Sequence, residues 1–241
     1  MTEKALECKN ITKKYGNVEA LKGVSFYLEN NGILGLSGDN GAGKSTLIKI
    51  LRGVIKPTSG EIFLHGEKVN FPNPEDANKA GLYSVYQESA LVDNLSVAEN
   101  FFLGNEVVNK FAKMVDMVDM DKQEKEAKSY LKDRGFDLDV TKNVGSFSGG
   151  QRRAIAILRA LYAKPEILLL DEPTTGLSVK AKEMMLGLFQ EIRDEVSMIF
   201  VSHSPEDVIN MCDRLLVLRL GQQSFFGSIA EIERDEIVSY Y

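Results

Sequence analysis

Short blocks of apolar residues punctuate this chain, and their spacing changes character along it. Apolar positions over residues 5–11 and 23–28, separated by polar turn residues, predict two strands near the start. The run Ile33, Leu34, Gly35, Leu36, Ser37 predicts a short buried strand, and residues 46–51 carry apolar side chains at helical spacing. A second β-rich patch follows, where Pro57 and Gly60 punctuate the chain before 61–64 and His65-Gly66-Glu67 makes the next turn. From about residue 94 to 142 the pattern predicts mainly helix, clearest over 99–103 and 122–134. Helix and strand then alternate, with helices over 150–163, 179–195 and 206–211 and strands over 167–170, 198–201 and 215–218. That alternation predicts a parallel sheet covered on both faces, with the helical middle inserted between two halves of one α/β core. Residues 231–241 predict a short terminal helix.

Composition adds mostly exclusions. With 241 residues, 44% hydrophobic and 27% charged, the chain has the make-up of an ordinary globular protein with a sizeable core. No apolar run approaches the ~18 to 20 residues that span a bilayer, and the start has no signal-peptide core, so a soluble intracellular chain is expected. Cys8 and Cys212 lack any paired spacing, which predicts two buried thiols with neither a disulfide framework nor a zinc site. Net charge is −6 with Lys and Arg scattered among acids, so nucleic acid is not an expected partner.

Gly38-Asp39-Asn40-Gly41-Ala42-Gly43-Lys44-Ser45-Thr46 fits G-x-x-x-x-G-K-[ST] and lies between a predicted strand and a predicted helix. In that context the loop amides and the helix N-terminus face the phosphates of ATP or GTP, Lys44 reaches the β- and γ-phosphates, and the Ser45 hydroxyl coordinates Mg²⁺. Residues 167–170 then deliver Asp171 and Glu172 to the carboxyl end of a strand, where ligands bind in parallel sheets. Asp171 is placed to hold Mg²⁺, and Glu172 to act as general base on the attacking water. Ser148-Gly149-Gly150-Gln151 precedes a helix and forms a second anion-binding surface. One nucleotide does not need two cradles, so a second subunit can supply this one.

Phosphate loop, Ser148-Gly149-Gly150-Gln151 and Leu170-Asp171-Glu172-Pro173, in this order, resemble the nucleotide-binding subunits of ABC transporters over nearly the whole chain. The resemblance implies a P-loop NTPase fold of ABC ATPase type: a parallel-sheet core with an antiparallel β lobe (about 1–87 and 160–241) and an inserted helical subdomain (about 88–159). It also implies ATP as the nucleotide and head-to-tail dimers with two ATP molecules sandwiched between one subunit's phosphate loop and the other's signature. Position by position, it places Tyr15 where an aromatic stacks on adenine. Gln87 falls where a glutamine contacts Mg²⁺ and water, and His203 where a histidine hydrogen-bonds the γ-phosphate. Two positions depart from the family pattern: Phe147 replaces leucine before the signature, and Ser178 replaces an aspartate that contacts the opposite subunit.

The phosphate loop and the stretches 69–74 and 95–104 look like those of monosaccharide importers of the ribose and fructose type, and 177–180 resembles their single-cassette members. That resemblance implies an ATPase at the cytoplasmic face of the membrane, paired with a second cassette, two transmembrane permease subunits and an extracytoplasmic sugar-binding protein. Three other readings share parts of the pattern: a soluble ABC ATPase acting on ribosomes or DNA, an exporter or flippase cassette, and a catalytically silent regulator.

Overall fold

The computed structural model describes residues 3–85, 91–111 and 115–240. These divide into two compact units, one of residues 1–87, 165–176 and 189–241, the other of 88–164 and 177–188.

The first unit opens with two long antiparallel strands, β1 (Lys4–Tyr15) and β2 (Val18–Glu29), which extend well past the apolar runs that predict them. β4 (Ser59–Leu64) pairs antiparallel with β1, and β5 (Glu67–Val69) with β4, giving a four-stranded sheet in the order β2-β1-β4-β5. His65 sits at the β4–β5 turn with φ 48°, and its Nε2 lies 2.7 Å from Glu166 Oε2. A second sheet of six strands has the order β12-β11-β3-β10-β9-β6. Its members are β3 (Ile33–Gly38), β6 (Leu82–Val85), β9 (Ile167–Asp171), β10 (Ser197–Val201), β11 (Arg214–Arg219) and β12 (Gln222–Ser228). All their pairings are parallel except β11 with β12.

β3 and β10 are buried along their whole length, as strands covered on both faces must be. On one face, α1 (Lys44–Leu51) adds Leu47, Ile48, Ile50 and Leu51 to a core that also holds Leu34, Leu36, Ile199 and Leu216. Alternate strand positions face the other way. There a Cβ on Gly35 would lie 3.0 Å from Val208 and 3.1 Å from Cys212, so α7 (Pro205–Met211) and the residue after it cover the opposite face. Cys8 and Cys212 are both buried thiols, pushed up by burial from the ordinary cysteine range. Two short helices complete this unit: α2 (Pro74–Lys79), N-capped by Asn73, and α8 (Arg234–Ser239), which follows the predicted terminal helix.

The second unit departs from the mainly helical expectation. Helices α3 (Val97–Phe102) and α4 (Met120–Asp133) flank an antiparallel hairpin, β7 (Val108–Phe111) with β8 (Val115–Val118). Val115 and Val118 are β-branched, which suits a strand, although the spacing of their apolar neighbours carries no strand period. α5 (Gly149–Tyr162) follows a 3-10 turn at Val144–Ser146, and α6 (Val179–Ile192) begins in this unit. Phe101, Phe102, Tyr130 and Tyr162 meet edge to face or tilted, with ring centroids 5.2 to 5.7 Å apart, the arrangement that aromatic quadrupoles favour.

Among the described residues no helix is long and apolar enough to cross a membrane.

Phe200, fully buried with its ring centroid 5.8 Å from that of Phe189, ties β10 to α6. Phe200→Ala is expected to cost about 3–5 kcal/mol, read from the urea midpoint. A loss below about 1 kcal/mol would contradict this placement of the core.

Candidate functional site

The phosphate loop leaves the carboxyl end of β3 and enters α1 through Gly43. Asp39, Asn40, Gly41 and Ser45 are exposed, Gly43 and Thr46 half-buried, and Ala42 and Lys44 buried. Gly38 has φ 137°, and a Cβ there would lie 2.1 Å from the carbonyl oxygen of Leu218, so only glycine lets the loop pass this close to β11. The Gly221 N–H donates to the Ala42 carbonyl at 3.0 Å, and the Lys22 N–H to the Gly221 carbonyl at 2.8 Å. The β11–β12 turn therefore braces the loop against β2. Sequence reading missed this brace, although Leu220-Gly221 between two apolar-rich runs is its trace.

The Lys44 ammonium curls back on its own loop, donating to the Gly38 carbonyl at 2.5 Å and the Asp39 carbonyl at 3.1 Å. An ammonium has three N–H donors, so one remains for a phosphate oxygen. Burial pulls Lys44 below the usual lysine range, opposed by the charges of Glu172, Asp39 and Asp171. The first N–H groups of α1 have no intrahelical carbonyl to bond and face the loop. Together they bias the loop positively, which suits phosphates.

Sheet register sets the remaining chemistry beside this loop. Val201 pairs with Leu36 on one side and with Asp171 on the other, so β9 and β10 end level while β3 runs on to Gly38. Asp171 closes β9. Glu172 follows in the left-handed region at φ 48°, a strained conformation for a non-glycine residue, and its N–H donates to the Val201 carbonyl at 3.1 Å. His203 follows β10, with its Nε2 2.9 Å from Glu172 Oε1. The two side chains predicted as base and γ-phosphate contact therefore touch each other. Burial, then the Glu172 charge, pushes Asp171 above the usual carboxylate range, while Arg52, Lys44 and His203 pull it back. Arg52, at the C-terminal end of α1, is a further charged neighbour that motif reading did not find.

The donor set suits Mg²⁺, a hard cation that takes oxygen ligands and draws part of its shell from substrate phosphates. An exposed hydroxyl at Ser45 and a half-buried carboxylate at Asp171, pressed upward by a second negative charge, are donors of that kind.

Tyr15 lies at the end of β1, 48% exposed, with the Lys13 ammonium 5.2 Å from its ring centroid. Lys13 therefore occupies one face of the ring. Gln87 lies outside the described residues.

In the other unit, Ser148 caps α5 in a capping box: the Gln151 N–H donates to Ser148 Oγ at 3.3 Å, and the Ser148 N–H to Gln151 Oε1 at 3.1 Å. Ser148 and Gly149 are exposed, while Gly150 is buried where a Cβ would lie 2.8 Å from that of Ala181. Close packing on α6 and an open N-terminus thus explain the two glycines separately. Ser178, in place of the family aspartate, caps α6 through a 3.4 Å bond from the Ala181 N–H.

Residues 21–175 match the protein-family profile described as ABC transporter. The chain is 40% identical over 237 residues to the ribose import ATP-binding protein RbsA of Caldanaerobacter subterraneus subsp. tengcongensis, covering 98% of this chain and 47% of that protein. It thus spans about half the length of that relative. It is 36% identical over 234 residues to the xylose/arabinose import ATP-binding protein XylG of Sulfolobus acidocaldarius, covering 96% of this chain and 91% of that one. Its fold is similar, with a TM-score of 0.76 at 26% identity over 93% of this chain and 98% of the other, to a dimeric ATP-binding cassette in a post-hydrolysis state bound to ADP and Pi.

Gly38→Ala is expected to lower the melting temperature and to weaken binding of a fluorescent ATP analogue at least tenfold, because the loop must shift by more than an ångström to admit the methyl group. Unchanged binding would show that the loop does not cradle phosphates.

Proposed function

This chain belongs to the ABC transporter family, as an ATP-binding cassette, and from that premise we propose that it is the ATP-hydrolysing subunit of a membrane importer for a simple sugar. The observation that carries the hydrolytic part is the meeting of the phosphate loop, Glu172 and His203 at one edge of the sheet, with Glu172 and His203 2.9 Å apart. The sugar-import part is supported by relatives named for import of ribose and of xylose or arabinose.

In this reading the loop amides of Gly38 to Gly43 and the start of α1, with Ser45 and Thr46, bind the phosphates, and Lys44 turns its remaining N–H to the γ-phosphate. Tyr15, half exposed at the end of β1, stacks on adenine. Ser45 and Asp171, with Gln87, hold Mg²⁺, which when bound offsets phosphate charge and polarises the γ-phosphorus. Glu172 accepts a proton from the attacking water as general base. With its ring protonated, His203 donates from Nδ1 to a γ-phosphate oxygen while Nε2 stays on Glu172, which holds its orientation.

Ser148, Gly149, Gly150 and Gln151 complete the second face of the sandwich on the ATP of a partner cassette, supplied by another copy of this sequence. The exposed position of Ser148 and Gly149 at the start of α5, together with the dimeric state of the cassette similar in fold, supports that role. Closure of the pair on ATP and reopening after hydrolysis would move two transmembrane permease subunits, with a sugar-binding protein delivering the sugar outside the cell. The cassette then lies at the cytoplasmic face of the membrane without entering it.

Glu172→Gln keeps the shape of the general base and removes its basicity. Turnover is expected to fall at least about a hundredfold while ATP affinity holds and an ATP-bound dimer accumulates on gel filtration. Turnover within about threefold of the parent would remove Glu172 from the role of base. Lys44→Ala is expected instead to weaken ATP binding itself at least tenfold by equilibrium titration, since it removes a charged phosphate contact; tight binding with slow turnover would move Lys44 to a purely chemical role.

A further inference from the structure

Behind the Glu172–His203 contact lies a second, buried link between the same two loops. Thr174 Oγ1 donates to Asp207 Oδ2 at 2.8 Å, with Thr174 6% and Asp207 2% exposed. We propose that Thr174 and Asp207 are positioning residues whose buried hydrogen bond sets the distance between Glu172 and His203. This rests on the reading of the chain as an ATP-hydrolysing cassette.

Three observations carry it. First, the His203 side of the pair is exposed: its side chain is 41% accessible, and a contact of that exposure holds its own geometry only weakly. Glu172 moreover leaves β9 at φ 48°, a conformation that persists only when the surroundings over-determine it.

Second, Asp207 reaches both loops. Its N–H donates to Ser204 Oγ at 3.3 Å, and the Ser204 N–H donates to Ser202 Oγ at 3.0 Å, so the turn that carries His203 is bonded on both sides of the histidine. Its carboxylate takes the hydroxyl of Thr174, on the turn that the Thr175 N–H closes onto the Glu172 carbonyl at 3.3 Å.

Third, the link is of a costly kind. A carboxylate beneath the sheet edge must be hydrogen-bonded to be tolerated, and an apolar pair of similar volume would pack there at less expense. A buried polar contact is instead directional, and it rigidifies what it joins. Glu172 and His203 act on one γ-phosphate, where a displacement of about 1 Å lowers the rate without weakening nucleotide binding.

The test compares Thr174→Val, which removes the hydroxyl at constant shape, with Thr174→Ser, which retains it. Each is made in the parent and in a His203→Ala background. In the parent, Thr174→Val is expected to lower kcat about tenfold with KM within about twofold, and Thr174→Ser to return kcat to within about threefold. In the His203→Ala background the same valine should cost less than a further twofold, because a tether that acts through the pair has nothing left to position. An equal loss in both backgrounds, or a serine variant as impaired as the valine one, would overturn the proposal.

Amide hydrogen exchange at Glu172, Thr175 and Ser204 supplies a readout that does not need turnover: Thr174→Val should speed exchange at all three at least fivefold and Thr174→Ser should not, whereas unchanged rates would refute the tether. A parent chain that binds ATP without hydrolysing it would refute the function proposed above, and the exchange comparison would still decide the tether.

Discussion

The parallel register of β3, β10 and β9 is the constraint on which the candidate site depends. Val201 pairs with both Leu36 and Asp171, so one row of the ladder crosses three strands; β9 and β10 end on it, and β3 runs on into the phosphate loop. β10 is buried throughout, and a one-residue slip would exchange the faces of all its side chains. The hydrophobic core thereby fixes the register, and the register fixes where the phosphate loop, Glu172 and His203 emerge.

Charges then gather at that edge at some electrostatic expense. Burial pulls Lys44 down and pushes Asp171 up, and each partly relieves the other. The cluster joins two carboxylates, Lys44, Arg52 and His203 in one half-buried place, a composition better suited to receiving a charged ligand than to stabilising the chain. Stability comes from elsewhere, from the core under α1 and the packing of Gly35 against Val208 and Cys212.

What could be read in the chain alone follows from how local each requirement is. The phosphate loop was legible because its glycines answer backbone demands within a few residues, such as the passage of Gly38 beneath Leu218. β3, β9 and β10 were legible because strands buried on both faces are uninterrupted apolar runs. β12 was not, since Gln222, Gln223 and Ser224 at an exposed sheet edge carry no such signal, and the β7–β8 hairpin was absorbed into a stretch read as helix. The functional side chains followed motifs, yet the brace from Gly221 to Ala42 and the bond from Thr174 to Asp207 join residues remote in sequence, and only the folded chain brings them together.

Whether this cassette drives a membrane permease is decided by affinity purification of the tagged chain from its native membranes in mild detergent, with mass spectrometry of what accompanies it. Recovery of a permease with many membrane-spanning helices is the predicted result. Recovery of ribosomal or DNA-bound proteins, with no membrane protein, would contradict it and leave the ATP site in service of another task.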